Sequence, residues 1–304
     1  MNAKMSYFAL PAILVLILAL VPLSLSDYYL ALLITIICNT ALALSWQFFS
    51  ANTKYVALGS AAFFGLGAYT MAVFSESFPI VFVILMAGML CFVFAWVVGL
   101  VTLRLRGIYF TIFTFGLSEF LANAILWWET TQVGTIGRIV LSMDTRLVYY
   151  YELIVFLIFL LILYFLRRSK LGLALKAIGE SEDAAVHCGV NSTLYKTLGF
   201  AISSMFMAFF GAIFATRWIY VDPRIAFNPL YSFLPPIMTI LGGLRASYGP
   251  ILGAVILSSL TEFLIINFKE QYMVLLGVIV VVLIILLPNG IAGLIENLRK
   301  RSKK

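Results

Sequence analysis

The side chains best suited to chemistry in this 304-residue chain gather in one polar stretch, Arg167 to Lys196. Ser181 is a helix N-cap by type, and Glu182 and Asp183 follow where the positive end of a helix favours acids. Ala184, Ala185 and Val186 continue the helical pattern, His187 sits near its end, and Gly189 suits the C′ position. The spacing predicts a two-turn helix over 181–188, with Asn191 or Ser192 capping the next helix. So short a helix is unstable alone in water. It must rest on its own bundle or be gripped by a partner.

A second set of polar residues lies inside apolar runs. Glu119 and Asn123 share a helical face at i,i+4. A carboxylate at membrane depth is costly unless paired, protonated or facing water. Glu119 therefore lines a polar pathway or pairs with a neighbouring helix or subunit. Asn39 and Gln47 share a face and suit interhelical hydrogen bonds, and Asn39 is also a pathway candidate. Glu262 and Arg217 fall near span ends, within reach of the interface. No Ser/His pair lies in the apolar runs, and His187 is the one histidine. Nothing converges as a nucleophile and base, so no catalytic residue is assigned and an intramembrane enzyme is disfavoured. Cys38, Cys91 and Cys188 are scattered, which supports neither a disulfide framework nor a metal site. An ion-coupled transporter acting alone could use Glu119, but it would leave the capped helix without a role.

The elements that must position these residues are membrane helices. Charged residues are 11% of the chain, against about a quarter in soluble domains, and hydrophobic residues are 63%. Apolar runs at 6–25, 28–50, 56–75, 78–102, 107–127, 149–166, 197–219, 229–244, 248–267 and 271–288 approach the ~20 residues needed to span hydrocarbon. Continuous runs without period-two alternation exclude a transmembrane β-barrel. The fold class is all-α, a polytopic bundle of eight to ten spans. Pro229, Pro235, Pro236, Gly242 and Gly243 predict a broken or re-entrant segment around 227–244. Residues 56–70, rich in small side chains, predict close helix packing.

The net charge of +7 reflects topology rather than nucleic-acid binding. With a cytoplasmic N-terminus, 15 of the 20 Lys and Arg residues fall on inside loops, leaving Arg138, Arg146, Arg217, Arg224 and Lys269 outside. Both termini are then cytoplasmic, with the basic tail Arg299–Lys304 against anionic lipid. The N-terminal apolar run reads as a retained first helix, since no small-x-small cleavage site precedes Asp27.

The stretch from Leu171 to Lys196, L-G-L-A-L-K-A-I-G-E-S-E-D-A-A-V-H-C-G-V-N-S-T-L-Y-K, resembles the cytoplasmic coupling loop of LivM-type permeases. These are membrane subunits of ATP-binding-cassette importers for branched-chain amino acids. Residues 58–69, 103–110 and 241–254 match further family signatures in order. The resemblance implies a single permease domain over 1–304, with 167–196 as its coupling loop. It implies ATPase coupling through Ser181, Glu182, Asp183, Ala184, Ala185 and Gly189. It also implies a pathway shared with a LivH-type permease, an extracytoplasmic binding protein that delivers substrate, and two cytoplasmic ATPases. ATP and Mg would be bound by those ATPases, with no cofactor or metal in this chain. The absence of G-x-x-x-x-G-K-[ST] agrees with that division. The implied location is the prokaryotic cytoplasmic membrane.

Two departures bear on the cargo. The family's outer-loop signature, commonly T-G-G-x-N-G-I, is here Gln132-Val133-Gly134-Thr135-Ile136-Gly137-Arg138. Glu119 matches the family's glutamate in the fifth span, but the basic residue that usually follows is missing near Phe120–Asn123. Urea, short amides and other amino acids therefore remain alternatives to leucine, isoleucine and valine.

Overall fold

The computed structural model describes residues 18–294, apart from 21, 23, 24, 106, 245, 288 and 289. Most of the predicted first span, 6–25, and the basic tail lie outside the described residues, as do Lys4, Arg106 and Arg245.

Apolar composition and the demand that every buried backbone group be paired make most of the described residues helical. Helix α1 (Asp27–Trp46) continues through a π-helical turn, Gln47–Ala51. Then come α2 (Ser60–Phe74), α3 (Ile80–Thr102) and α4 (Ile108–Trp128), the last extended by a second π turn, Glu129–Val133. Strand β1 (Arg138–Ile139) leads to α5 (Thr145–Arg168), α6 (Lys170–Glu180), α7 (Glu182–His187) and α8 (Ser192–Ala215). Strand β2 (Tyr220–Val221), α9 (Pro223–Ala226), α10 (Leu230–Gly242), α11 (Gly249–Asn267) and α12 (Tyr272–Leu286) complete the order. The strands form one short antiparallel pair, Arg138 opposite Val221.

Among the described residues, eight helices are long and apolar enough to cross a membrane. Helix α2, 15 residues long, is not, because at 1.5 Å per residue it covers only about three-quarters of the hydrocarbon thickness. It is instead buried almost throughout between α8 and α3. A Cβ on Gly67 would lie 2.1 Å from the Ala208 carbonyl oxygen, and one on Gly211 would lie 2.1 Å from that of Phe64. The small-residue packing predicted for 56–70 is thus a reciprocal backbone contact of α2 with α8. Helices α1 and α8 form the centre, whereas α12 is peripheral and buries only Val280.

Two boundaries differ from the sequence expectation. Pro235 and Pro236 do not break α10, which runs through both. The interruption lies before it, at Phe227–Pro229, between α9 and α10. The last span before the third-to-last connection begins five residues early, at Ser192 rather than 197, because Lys196 is buried inside its first turns and not in a loop.

Candidate functional site

One end of the bundle carries the polar stretch, together with Lys54, Leu103 and the α10–α11 turn. It begins with a helix that the sequence reading missed. Ser169 Oγ accepts from Gly172 N at 3.5 Å and caps α6. Leu171, Ala174, Leu175 and Ile178 form that helix's buried face. Their i,i+3,i+4,i+7 spacing was an available signal.

The helix predicted over 181–188 is α7, Glu182–His187, with Ser181 and Cys188 as its two caps. Ser181 Oγ accepts from Ala184 N at 3.3 Å, and Gly189 adopts φ +85°, the left-handed conformation favoured at C′. Of the two candidates to cap α8, Asn191 does so, its Oδ1 accepting from Leu194 N at 3.1 Å. Ser192 turns back to donate to Glu182 instead.

The predicted coupling residues divide between two faces. Glu182 and Ala185 point into the protein, and Ala185 is 5% exposed. Ser181, Asp183, Ala184 and Gly189 are exposed, as are Val186 and His187. Inside, Glu182 accepts from Lys196 Nζ at 2.6 Å and from Tyr55 OH at 2.7 Å, besides Ser192. Lys196, 3% exposed, also donates to Tyr55 OH and to the Leu103 carbonyl, each at 3.1 Å, and its Nζ lies 4.5 Å from the Tyr55 ring centre. Partial burial pushes the Glu182 carboxyl up, but hydrogen bonds from Lys196, Ser192 and Tyr55 outweigh it and hold the pKa at about 2. Tyr55 and Lys196 are partners of Glu182 that sequence reading did not single out.

This network is fastened to α1. Gly179, near the end of α6, lies against the Asn52 carbonyl, where a Cβ would stand at 1.9 Å. Trp46 Nε1 donates to Ala57 O at 2.7 Å, and Ala57 N donates to Ser50 Oγ at 3.2 Å. The segment holding Tyr55 is thereby tied to the last turns of α1. Gln47 accepts from Arg167 at 2.7 Å and donates to the Leu244 and Ala246 carbonyls, each at 3.0 Å. One group thus links α1, α5 and the α10–α11 turn. Hydrogen bonds thereby connect α7 with α8, with the Tyr55 segment after α1 and with the Leu103 carbonyl at the end of α3.

The pathway candidates separate. Glu119 and Asn123 lie on an exposed face of α4, where Asn123 Nδ2 donates to the Glu119 carbonyl at 2.8 Å. The Glu119 carboxylate has no hydrogen bond or ion pair with another helix of this chain among the described residues. Its neighbour on that face, Gly116, has open space beside it. Asn39 lies elsewhere, in α1, and donates to Ser258 Oγ of α11 at 2.9 Å.

The opposite end holds Arg138, Arg146, Arg217 and Arg224. Glu129 is buried there, accepting from Gly137 N at 2.7 Å and standing 3.6 Å from Arg138 Nε. A cleft of about 360 Å³ opens at this end between α1, α10 and α11. Its wall includes Thr35, Asn39, Arg224, Ser258 and Glu262.

Comparison with known proteins agrees with this architecture. Residues 28–286 match the family described as branched-chain amino acid transport system / permease component. The permease protein LivM of a high-affinity branched-chain amino acid transport system in Salmonella typhimurium is 28% identical over 269 residues, covering 77% of this chain and 63% of that protein. LivM of Escherichia coli is 28% identical with the same coverage. BraD of Pseudomonas aeruginosa, also named a permease of such a system, is 27% identical over 59% of this chain and 62% of its own length. The match thus spans a little under two-thirds of these relatives. No solved structure matches. The chain belongs to the family of branched-chain amino acid transport system permease components.

Proposed function

We propose that this chain is the membrane-spanning permease subunit of an ATP-driven importer for branched-chain amino acids, set in the cytoplasmic membrane of a prokaryote. The observation that carries this reading is α7. It is a capped, two-turn helix with an exposed outer face, held from beneath by the Glu182–Lys196–Tyr55 network. An ATPase subunit grips Asp183, Ala184, Val186 and His187, and the buried side passes the movement to α1, α3 and α8. A second ATPase does the same on a second, LivH-type permease. ATP and Mg are bound by the ATPases. A soluble extracytoplasmic protein delivers the amino acid to the opposite end.

The distribution of Lys and Arg supports a cytoplasmic loop end and cytoplasmic termini. The exposed face of α4 bearing Gly116, Glu119 and Asn123 supports contact with the second permease, because a carboxylate left against lipid would be costly. Reconstitution of the chain with its partner permease, two ATPases and a binding protein in vesicles tests the reading. ATP-dependent accumulation of leucine is expected. Leucine uptake by the chain alone, without ATP, would contradict it.

A further inference from the structure

Resting on the permease reading above, we infer that the cleft between α1, α10 and α11 is a binding site for one zwitterionic amino acid within this chain. About 360 Å³ falls in the range of small-molecule sites. The chemistry of the wall narrows the ligand. Arg224 and Glu262 carry opposite charges on the same cleft, yet they form no ion pair with each other among the described residues. Glu262 accepts from the Tyr28 hydroxyl at 2.8 Å. The same wall carries neutral polar groups. Asn39, buried in α1, donates to Ser258, and Thr35 Oγ1 accepts from Arg217 Nη1 at 3.1 Å. The remaining wall is apolar, with Leu234 and Met238 of α10 and Phe214 of α8.

An inorganic anion would meet Glu262, and a simple cation would meet Arg224. A purely apolar molecule would strip water from the neutral polar groups without replacing its hydrogen bonds, which is unfavourable. A molecule with an α-carboxylate, an α-ammonium and a branched apolar side chain satisfies all three surfaces. Arg224 takes the carboxylate, Glu262 the ammonium, and Leu234, Met238 and Phe214 the side chain. Below the cleft, Thr239 Oγ1 donates to the Ala43 carbonyl at 3.2 Å, and a second cleft of about 260 Å³ lies beyond, lined by Trp46, Pro236 and Leu244. The Thr239–Ala43 contact of α10 with α1 thus stands between the residues that line the two clefts.

The test uses the complete transporter in vesicles and a diazirine analogue of leucine delivered on the binding protein. ATP-dependent uptake of ordinary leucine is measured in the same preparation. The site predicts adducts, mapped by mass spectrometry on the unmodified transporter, within residues 214–238 and 258–265. It also predicts that Glu262→Gln and Arg224→Gln each reduce them at least about tenfold, as expected when one partner of a desolvated charge pair is removed. Adducts confined to other segments, with uptake intact, overturn the site and leave the function standing. Absence of uptake refutes the function itself. Vesicles of phosphatidylcholine with and without phosphatidylethanolamine should label equally. Labelling that falls tenfold or more when phosphatidylethanolamine is present would show that the cleft holds a lipid headgroup, which also overturns the inference.

Discussion

The two ends of this bundle treat their charged residues in opposite ways. At the loop end, Lys196 and Glu182 stand 2.6 Å apart, and both are further tied to Tyr55. At the other end, Arg224 and Glu262 face a common cleft without meeting. A network whose members satisfy one another behaves as a rigid piece and specifies one geometry. Polar groups left open to a cavity hold capacity for something that arrives. In the proposed function the first end transmits movement and the second receives a ligand.

The strongest way to break the contrast is to spoil the outer face of α7 while leaving its inner face alone. Ala184→Arg adds a long cation to an exposed position on that face. Uptake should fall roughly 100-fold or more, as for truncated interface hot spots, with unchanged insertion in the membrane fraction. Next in size is Lys196→Met, which removes the cation from beneath the helix. Loss of hydrogen bonds to charged groups, roughly 1.5–3 kcal/mol, should lower uptake about 10- to 100-fold. The ATPases should still co-purify, and their hydrolysis should no longer track transport. Normal coupling in this variant would mean that the network only packs the loop.

A smaller effect is expected from Gly179→Ala, whose Cβ would stand 1.9 Å from the Asn52 carbonyl. Overpacking of this kind costs about 1–3 kcal/mol and should appear as a lower unfolding temperature of the purified assembly. The smallest effect is the pH response. Because the folded Glu182 pKa of about 2 lies below its ordinary 4.5, its contribution is fully present above pH 4.5 and is lost as pH falls toward 2. Amide exchange over 182–187 should therefore be insensitive to pH-linked opening between pH 5 and 8, after correction for intrinsic rates, and should show added opening only below about pH 4.5. Opening near pH 6 would place the carboxyl outside the network.

What was legible in the sequence was local. Ser181, Gly189 and Asn191 betray their positions by side-chain type, because a cap acts within three or four residues of itself. Hydropathy, equally local, located most of the long helices, but it also marked 56–75, where the helix Ser60–Phe74 is too short to span. The partners of Glu182 were not legible, since Tyr55 is 127 residues away and only the fold brings it near. Lys196 was misread for a physical reason. A lysine ahead of an apolar run looks like a loop charge, yet here Glu182 and the Leu103 carbonyl let it enter the helix. Asn39 meets Ser258 across 219 residues, so its place on the cleft could not come from spacing. The prolines misled too, since Pro235 and Pro236 fit within α10 and the chain turns before them.

The central claim is that the exposed face of α7 is where an ATPase takes hold. A photo-crosslinking amino acid placed at Val186, 51% exposed, tests it most directly in a transporter that still takes up leucine. A crosslink from Val186 to the ATPase subunit is expected. Intact uptake with no ATPase crosslink from that position would contradict it.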